Sequence, residues 1–220
     1  MNSFSNKIVA VVPIKFNSRR LNEKCIKRFK NSKPLCYYIF NELLKIKEIQ
    51  LIYAFCSDER IIPYLPDNVI FLKRPEYLDE DNISINDILY QFISNVEADI
   101  YIQTHITSPF LSHQSILSGL SAVLTQNYDS AFSVTMCQDF FWSNGKPINY
   151  RLSDVPRTQD LVPFYKETSG FYIFKRNVFE STHGRIGSKP FLVEVNQIEA
   201  IDIDTEEDFF IADAIYNFNR

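Results

Sequence analysis

Four cations cluster in one short stretch of the chain, and their spacing suggests an anion site. Lys15, Arg19, Arg20 and Lys24 fall within ten positions, directly after the apolar run Ile8–Ile14. In an open α/β sheet, ligands bind at the carboxyl ends of strands, so this loop predicts a site for an anionic ligand. The loop lacks the glycines of Walker and dinucleotide-binding loops, so side-chain charge must do most of the binding. A solvated basic surface turn is the alternative that these residues leave open.

Two carboxylates near the C-terminus suggest a metal site. Asp202 and Asp204 alternate with Ile201 and Ile203, which predicts a strand with both carboxylates on one face. Unpaired buried carboxylates are costly, and a magnesium ion would relieve that cost with substrate phosphates completing its shell. Thr205 then begins a capping-box variant for the following helix, with its partner acid three residues later.

Polar residues also lie at the end of one predicted strand and at the start of one predicted helix. His105 comes after a predicted strand at 98–103, where a structural role is the alternative to substrate binding. A helix is predicted to begin near Ser84, with Asp81 or Asn82 as its cap and Asp87 in its first turns.

The elements that must position these residues alternate along the chain. Strands are predicted at 8–14, 50–56, 69–72, 98–103 and 129–136 and after the small pair Thr168-Ser169, and helices at 33–46, from about 84, and from about 112 to 125. This alternation predicts an α/β fold with a mostly parallel sheet covered by helices on both faces and joined by right-handed crossovers.

The alternation lapses between about 137 and 165, which predicts an excursion from the core. A hairpin turn is expected at Ser143-Asn144-Gly145. Phe140, Phe141 and Trp142 would form an exposed apolar patch, which is typical of a partner surface. A long surface hairpin without a partner is the alternative.

Composition limits the class of protein. The chain has 220 residues, of which 45% are hydrophobic, and this predicts a single domain spanning 1–220. The net charge of −4 argues against a general nucleic-acid or membrane-surface binder. Neither a secretory signal nor a membrane span is evident, which predicts a cytoplasmic protein. The 4 cysteines are scattered without a CxxC pair, so free thiols are expected.

Five short motifs follow one another along the chain: K-x-N-S-x-R-L-x-x-K at 15–24, R-P-x-x-L at 74–78, T-S-P at 107–109, R-x-Q-D-L at 157–161 and D-I-D-T-x-x-D at 202–208. In order and spacing they resemble the CMP-sugar synthetases, the cytidylyltransferases of acylneuraminate and related nine-carbon sugars, with KDO cytidylyltransferases as more distant relatives. The chain departs from that pattern at Asn22, Glu23 and Cys25, where the family usually has Pro, often Gly, and usually Asn. The usual Glu-Asn-Gly is here Glu167-Thr168-Ser169.

The resemblance implies a Rossmann-like nucleotidyltransferase fold with a small β-hairpin excursion for dimerisation. It implies transfer of CMP from CTP to a 2-keto sugar acid, with release of pyrophosphate, by a magnesium-dependent homodimer that serves surface glycan biosynthesis. The CTP-binding residues implied are Lys15, Asn17, Ser18, Arg19, Arg20, Lys24, Arg74, Ser84 and Asp87. The sugar-binding residues implied are His105, Thr107, Ser108, Arg157, Gln159 and Glu167, and the catalytic residues are Lys24, Asp202 and Asp204, of which the two acids hold Mg²⁺.

Two alternatives of other classes remain at this point. A nucleotide-sugar-dependent glycosyltransferase also uses an Asp-x-Asp pair on a metal, although that pair normally follows a mid-chain strand. A catalytically inactive nucleotide-binding homologue is suggested by the loop departures at Asn22, Glu23 and Cys25. Pyrophosphate release from CTP and a sugar acid distinguishes an active synthetase from both.

Overall fold

The structure is a computed structural model and describes residues 6–30 and 32–218. The strands are β1 (Ile8–Ile14), β2 (Leu51–Cys56), β3 (Ile70–Lys73), β4 (Ile100–Thr104), β5 (Ser130–Cys137), β6 (Trp142–Ser143), β7 (Lys146–Pro147), β8 (Phe164–Lys175) and β9 (Pro190–Glu194). The α-helices are α1 (Leu35–Leu43), α2 (Ile85–Asn95), α3 (His113–Thr125), α4 (Arg176–Thr182) and α5 (Glu206–Phe218).

Within the described residues, a 7-stranded sheet runs in the order β3-β2-β1-β4-β8-β5-β9. The pairs β3/β2, β2/β1, β1/β4 and β5/β9 are parallel, whereas β8 runs antiparallel to both of its neighbours. The predicted α/β fold with a mostly parallel sheet flanked by helices is therefore confirmed. The carboxyl ends of β1 and β4 lie side by side, so the segments that leave them share one edge of the sheet.

Alternation along β1 divides the core between the two faces of the sheet. Ala10 and Val12 join one buried cluster, which includes residues of α1 and α3. Val9 and Val11 join the other cluster, which includes residues of α2. Each such fully buried side chain contributes roughly 1.5–3 kcal/mol relative to an exposed one, so β1 is held firmly from both sides. The loop after β1 therefore starts from a fixed point.

The N-terminus of α2 corrects one prediction. Ser84, and not Asp81 or Asn82, is the N-cap: its Oγ accepts from the Asp87 backbone N–H at 3.2 Å, and Asp87 Oδ2 accepts from the Ser84 N–H at 3.1 Å. This reciprocal capping box satisfies two backbone donors that the helix cannot satisfy itself. Asp81 does not cap this helix; its carboxylate accepts a hydrogen bond from Lys15 Nζ at 3.1 Å.

The segment around Asp202 and Asp204 is not a strand, which corrects a second prediction. No neighbouring strand pairs with it within the described residues; the Ile203 N–H donates instead to the Thr107 carbonyl at 2.9 Å. Ile203 is buried in a small cluster with Leu21 of the cationic loop and Phe209 of α5. Burial of Ile203, together with hydrogen bonds of its backbone to Thr107 and Lys24, therefore holds this segment in place of sheet pairing.

The predicted capping box before α5 is present. The Asp208 N–H donates to Thr205 Oγ1 at 3.2 Å, and the Thr205 N–H donates to Asp208 Oδ2 at 2.8 Å.

Two further elements, α4 and β9, were absent from the sequence prediction. The predicted hairpin is present as β6 and β7, with Asn144 and Gly145 at φ 49° and 72°, as a type I′ turn requires. All four cysteines are free thiols, as predicted. Among the described helices, none is long and apolar enough to cross a membrane.

Candidate active site

A cavity of about 340 Å³ lies where the segments leaving β1 and β4 meet. It brings together residues that are as much as 191 positions apart, from Pro13 at the end of β1 to Asp204 in the segment before α5. Seven of the predicted site residues line it. Its wall consists of Pro13, Lys15, Ser18, Lys24, Ile85, His105, Ile106, Thr107, Ser169, Arg185, Asp202 and Asp204.

Lys24 is the most enclosed cation of this cavity, with 9% of its surface exposed. Its Nζ donates to the Ile203 carbonyl at 3.0 Å and to Asp204 Oδ1 at 3.1 Å. Lys24 begins a short 3₁₀ helix whose N-cap, Glu23, has a left-handed backbone at φ 48°. This conformation costs a non-glycine residue roughly 1–2 kcal/mol, and it accounts for the glycine that the resembling family often has there. With Glu23 in this strained conformation, the Lys24 side chain points into the cavity.

The other loop cations are paired with carboxylates at the rim. Arg20 NH1 lies 2.8 Å from Asp204 Oδ2, and Lys15 and Arg19 both bind Asp81. These side chains are largely exposed, and exposed ion pairs contribute only about 0–1 kcal/mol. A polyphosphate, with several charges, can therefore replace these carboxylates at little cost.

The cavity acids differ in their partners. Asp204 is bound by Lys24 and Arg20, whereas Asp202 makes no salt bridge within the described part of the chain. The Asp202 side chain is accessible from the cavity, yet the surrounding walls hinder its hydration. This desolvation raises the pKa of Asp202, and the nearby Asp204 carboxylate raises it further, while a hydrogen bond from Thr107 opposes both effects.

This donor set fits a hard divalent cation. Both carboxylates line the cavity, and one of them, Asp202, is exposed to it and makes no salt bridge among the described residues. Within residues 6–30 and 32–218, no group of three or more His, Cys, Asp or Glu side chains could hold a metal. Substrate oxygens and water would therefore have to supply the remaining ligands, which is the usual arrangement for magnesium.

His105 belongs to a hydrogen-bonded network with two partners. Arg185 NH1 donates to Gln103 Oε1 at 2.6 Å, which turns the Gln103 amide nitrogen towards His105 Nε2 at 2.5 Å. Because that amide nitrogen can only donate, Nε2 must be the unprotonated ring nitrogen and the ring proton must lie on Nδ1. Burial, with the charges of Arg185 and Lys24, lowers the pKa of His105 to about 4. His105 is therefore neutral near pH 7 and acts as a hydrogen-bonding group.

His105 should make folding stability pH-dependent in acid. Its pKa is about 4 in the folded protein against an ordinary 6.5, so the unfolded state binds more protons between these values. The contribution is fully present above pH 6.5 and is lost as the pH falls towards 4. We expect His105→Asn to remove about 1–3 kcal/mol of the stability change across this window, measured by urea unfolding at several pH values.

His183→Asn is the matched control for this prediction. His183 is exposed and has a left-handed backbone at φ 51°, which asparagine tolerates. Its pH profile of stability should follow that of the wild type. An unchanged profile in His105→Asn would show that the ring titrates alike in both states.

A second cavity, of about 620 Å³, adjoins the first. The two cavities share Ser169 and Asp202. Ser169 has a left-handed backbone at φ 58° near the irregularity in the β5/β8 pairing. The remaining wall of the second cavity is Thr135, Met136, Cys137, Asp139, Lys166, Glu167, Thr168, Gln197, Ala200 and Ile201.

Several residues predicted to bind CTP lie outside the first cavity. Arg74 is 2% exposed and is ion-paired with Asp79, although its buried Nε has no hydrogen-bond partner among the described residues. Ser84 and Asp87 form the α2 cap described above. Asn17 lines a separate surface depression. Their assignment to CTP binding stays a prediction.

The predicted sugar-binding residues divide in the same way. His105 and Thr107 line the first cavity, and Glu167 lines the second, where it accepts from the Tyr172 hydroxyl at 2.7 Å. Ser108 is buried beneath the site. The two remaining residues, Arg157 and Gln159, are exposed in the excursion, where Arg157 Nε donates to Asp160 at 2.8 Å, and neither lines the first or the second cavity.

Arg185 and Ser169 line the first cavity but were missing from the predicted site. The signal for Arg185 is its setting in T-H-G-R-I-G, an arginine held between two glycines. A glycine-flanked arginine in a connecting segment favours a functional loop, because loops carry much of the binding chemistry of proteins. The signal for Ser169 is its position in the motif where the resembling family has glycine.

Comparison with known proteins shows which family and which folds the chain resembles. A family model described as Cytidylyltransferase matches residues 9–217. The fold is similar to that of a CMP:2-keto-3-deoxy-manno-octonic acid synthetase complexed with CTP, with 18% identity, a TM-score of 0.72, and coverage of 97% of this chain and 100% of that one. It is also similar to 4-diphosphocytidyl-2C-methyl-D-erythritol synthase from Anaerococcus prevotii, with 12% identity, a TM-score of 0.72, and 97% coverage of both chains.

Proposed function

The chain belongs to the cytidylyltransferase family and is a nucleotidyltransferase, and from that premise we propose that it transfers CMP from CTP to a 2-keto sugar acid. The acceptor is acylneuraminate-like. The reaction takes place in the cytoplasm, and its product serves surface glycan biosynthesis. A structurally similar protein is a synthetase of the same chemical class, CMP:2-keto-3-deoxy-manno-octonic acid synthetase.

The observation that carries the proposal is the pair of adjoining cavities. One cavity contains the loop cations Lys15 and Lys24, and the other is a larger polar space lined by Lys166 and Glu167. A transfer between two substrates needs two such sites that meet at the reacting atoms. The shared residues, Ser169 and Asp202, mark that meeting point.

The chain's own residues would divide the work of transfer between them. Lys24, Arg20 and Lys15 bind the triphosphate and neutralise its charge, which favours a phosphoryl group that must accept further negative charge. His105 is neutral near pH 7, so it donates or accepts a hydrogen bond without adding charge. The walls of the two cavities orient the acceptor hydroxyl towards the α-phosphorus.

In the reaction, the anomeric hydroxyl oxygen forms a bond to the α-phosphorus of CTP. The bond from that phosphorus to the oxygen bridging to the β-phosphate breaks, and pyrophosphate leaves with the electron pair. The hydroxyl proton passes to solvent water. Asp202 and Asp204 would hold Mg²⁺, which supplies charge neutralisation to the phosphates when it is bound.

The decisive experiment is pyrophosphate release by purified protein with magnesium. It should be run with each of four nucleoside triphosphates against a panel of 2-keto sugar acids. Release with CTP and one acid alone supports the proposal and identifies the acceptor. Tight binding of CTP without release for any acid would overturn it and favour the inactive nucleotide-binding homologue.

We further propose that the chain works as a homodimer through the excursion. Phe140, Trp142, Leu152 and Val162 are all exposed there, and Trp142 is 54% exposed. An apolar surface rimmed by polar residues is typical of a protein interface. In such a dimer, the exposed Arg157 of one chain would lie near the cavities of the other chain.

Trp142→Ser should weaken self-association by roughly 30-fold or more, because buried tryptophans at interfaces contribute about 2 kcal/mol or more. Sedimentation equilibrium over a range of concentrations measures this. Phe210→Ser is the matched control, since Phe210 is 75% exposed on α5, outside the excursion. A monomeric wild type at tens of micromolar would contradict the homodimer.

A further inference from the structure

We propose that Arg185 is the residue that recognises the carboxylate of the acceptor acid. This inference rests on the proposed function and adds to it a specificity-determining residue. It adds a residue from a loop of the same chain to the sugar-binding residues that the resemblance implied, among which Arg157 is the other arginine.

Arg185 carries a positive charge without a salt-bridge partner in the described part of the chain, although the Glu167 carboxylate lies close enough for its charge to act on Arg185. None of the salt bridges among the described residues involves Arg185. Its guanidinium stacks on the Tyr172 ring with the central carbon 3.5 Å from the centroid, and NH1 donates to the neutral Gln103 oxygen. Burial lowers the pKa of the Arg185 guanidinium, while Tyr172 and the Glu167 carboxylate oppose this effect. An anion in the cavity would compensate that charge.

The position of Arg185 favours the acceptor over the triphosphate. The loop cations are engaged around Asp204 and Asp81, at the side of the cavity formed by the segment after β1. Arg185 instead contacts Tyr172, whose hydroxyl donates to Glu167 in the wall of the second cavity. Arg185 therefore stands on the side of the first cavity that faces the acceptor space.

The chemistry of the guanidinium suits a carboxylate. Stacking on Tyr172 and the bond to Gln103 fix the plane of the guanidinium while leaving other N–H groups for a ligand. A fixed planar fork can bind a carboxylate through two parallel hydrogen bonds. Lysine would keep the charge at this position but would lose the fork, which gives the experiment a graded variant.

The loop that carries Arg185 is held in place by its neighbours. Asp129 Oδ2 accepts from the Lys189 N–H at 2.9 Å and from Ser188 Oγ at 3.1 Å. The Gly187 N–H donates to Ser130 Oγ at 2.9 Å, and a Cβ on Gly187 would lie 2.5 Å from the Asp129 carboxylate. Arg185 is thus preorganised, which lowers the entropy cost of binding.

The test compares Arg185→Gln and Arg185→Lys with the wild type in pyrophosphate release. We expect Arg185→Gln to raise the KM for the acid by about 10- to 100-fold, the effect of losing a charge-assisted hydrogen-bonded pair. Arg185→Lys should lie between the two, and the KM for CTP should change less than about twofold in both. The carboxamide analogue of the acid should be a poor substrate for the wild type. The Arg185→Gln substitution should reduce turnover of this analogue little further, because the analogue lacks the carboxylate that Arg185 binds.

Lys189→Met is the matched control, because Lys189 lies on the same loop but is exposed and stacks over Tyr128 outside the site. Its kinetic constants should equal those of the wild type. A rise in the KM for CTP, with an unchanged KM for the acid, would overturn the inference by assigning Arg185 to the triphosphate.

A second readout separates this inference from the proposed function. In wild-type protein, the side-chain Nε–H resonance of Arg185 can be identified by its loss in Arg185→Lys. Addition of the 2-keto sugar acids of the panel should shift this resonance, whereas CTP alone should leave it in place. Failure of turnover with a persisting shift would reject the proposed reaction alone, and absence of a shift with every acid would reject the role of Arg185.

Discussion

Asp202→Asn and Asp204→Asn are each expected to reduce kcat for pyrophosphate release by about 10³-fold, because a bound metal contributes several kcal/mol of charge stabilisation in the transition state. The two acids line one wall of the cavity, although they come from an irregular segment. Steady-state release from CTP at saturating magnesium measures the effect. Both amides keep the size of the side chain, so the loss reports the carboxylate charge.

The two substitutions should differ in their effect on stability, because the acids have different partners. Asp204 accepts from Lys24 and Arg20, and its replacement leaves two cations without a carboxylate. Asp202 has no such partner in the described residues, so Asp202→Asn should leave the melting temperature nearly unchanged. Asp204→Asn should lower the melting temperature and reduce the free energy of unfolding by about 1–3 kcal/mol.

Glu207→Gln is the control for these acids, since Glu207 is exposed in the first turn of α5 and lies outside both cavities. It should keep full activity. Wild-type rates in Asp202→Asn would remove this acid from the proposed metal site. A shared loss of activity and folding in both variants would instead assign the pair a structural role.

The parts of the fold that the sequence predicted are those with a periodic pattern. β1 was predicted to its end residues because its run of apolar residues is bounded by polar ones and buried on both faces. β9 escaped prediction because its exposed and buried residues mix at the edge of the sheet. Edge strands carry a weaker pattern, since only part of their surface meets the core.

The cavity-lining residues that the sequence singled out lie in motifs, and those that it missed are placed there by tertiary packing. Asp202 and Asp204 reach one cavity, yet the reason is the burial of Ile203 against Leu21 and Phe209, which no local pattern encodes. Arg185 reaches the cavity because Asp129, 56 positions away, holds its loop. Contacts over such separations have no periodic signal in the sequence.

Lys24→Met should lower kcat/KM for CTP by about 10²- to 10³-fold, the range found when a preorganised donor to a developing charge is removed. Lys24 is the most enclosed loop cation, and its Nζ joins the loop to the acid segment through both the Ile203 carbonyl and Asp204. Methionine keeps the apolar stem, so the loop should stay packed. Calorimetric titration with CTP, beside steady-state kinetics, separates lost binding from lost turnover.

Lys24→Arg and Lys27→Met make the prediction specific. Arginine restores the charge but is larger than a 9% exposed site accepts readily, so we expect only partial recovery. Lys27 also pairs with an acid near α5, donating to Glu206 at 2.7 Å, but it lies outside the cavity. Lys27→Met should therefore bind CTP like the wild type. An equal loss in both lysine variants would mean that the loop needs these lysines for its fold, and unchanged CTP affinity in Lys24→Met would remove Lys24 from the triphosphate site.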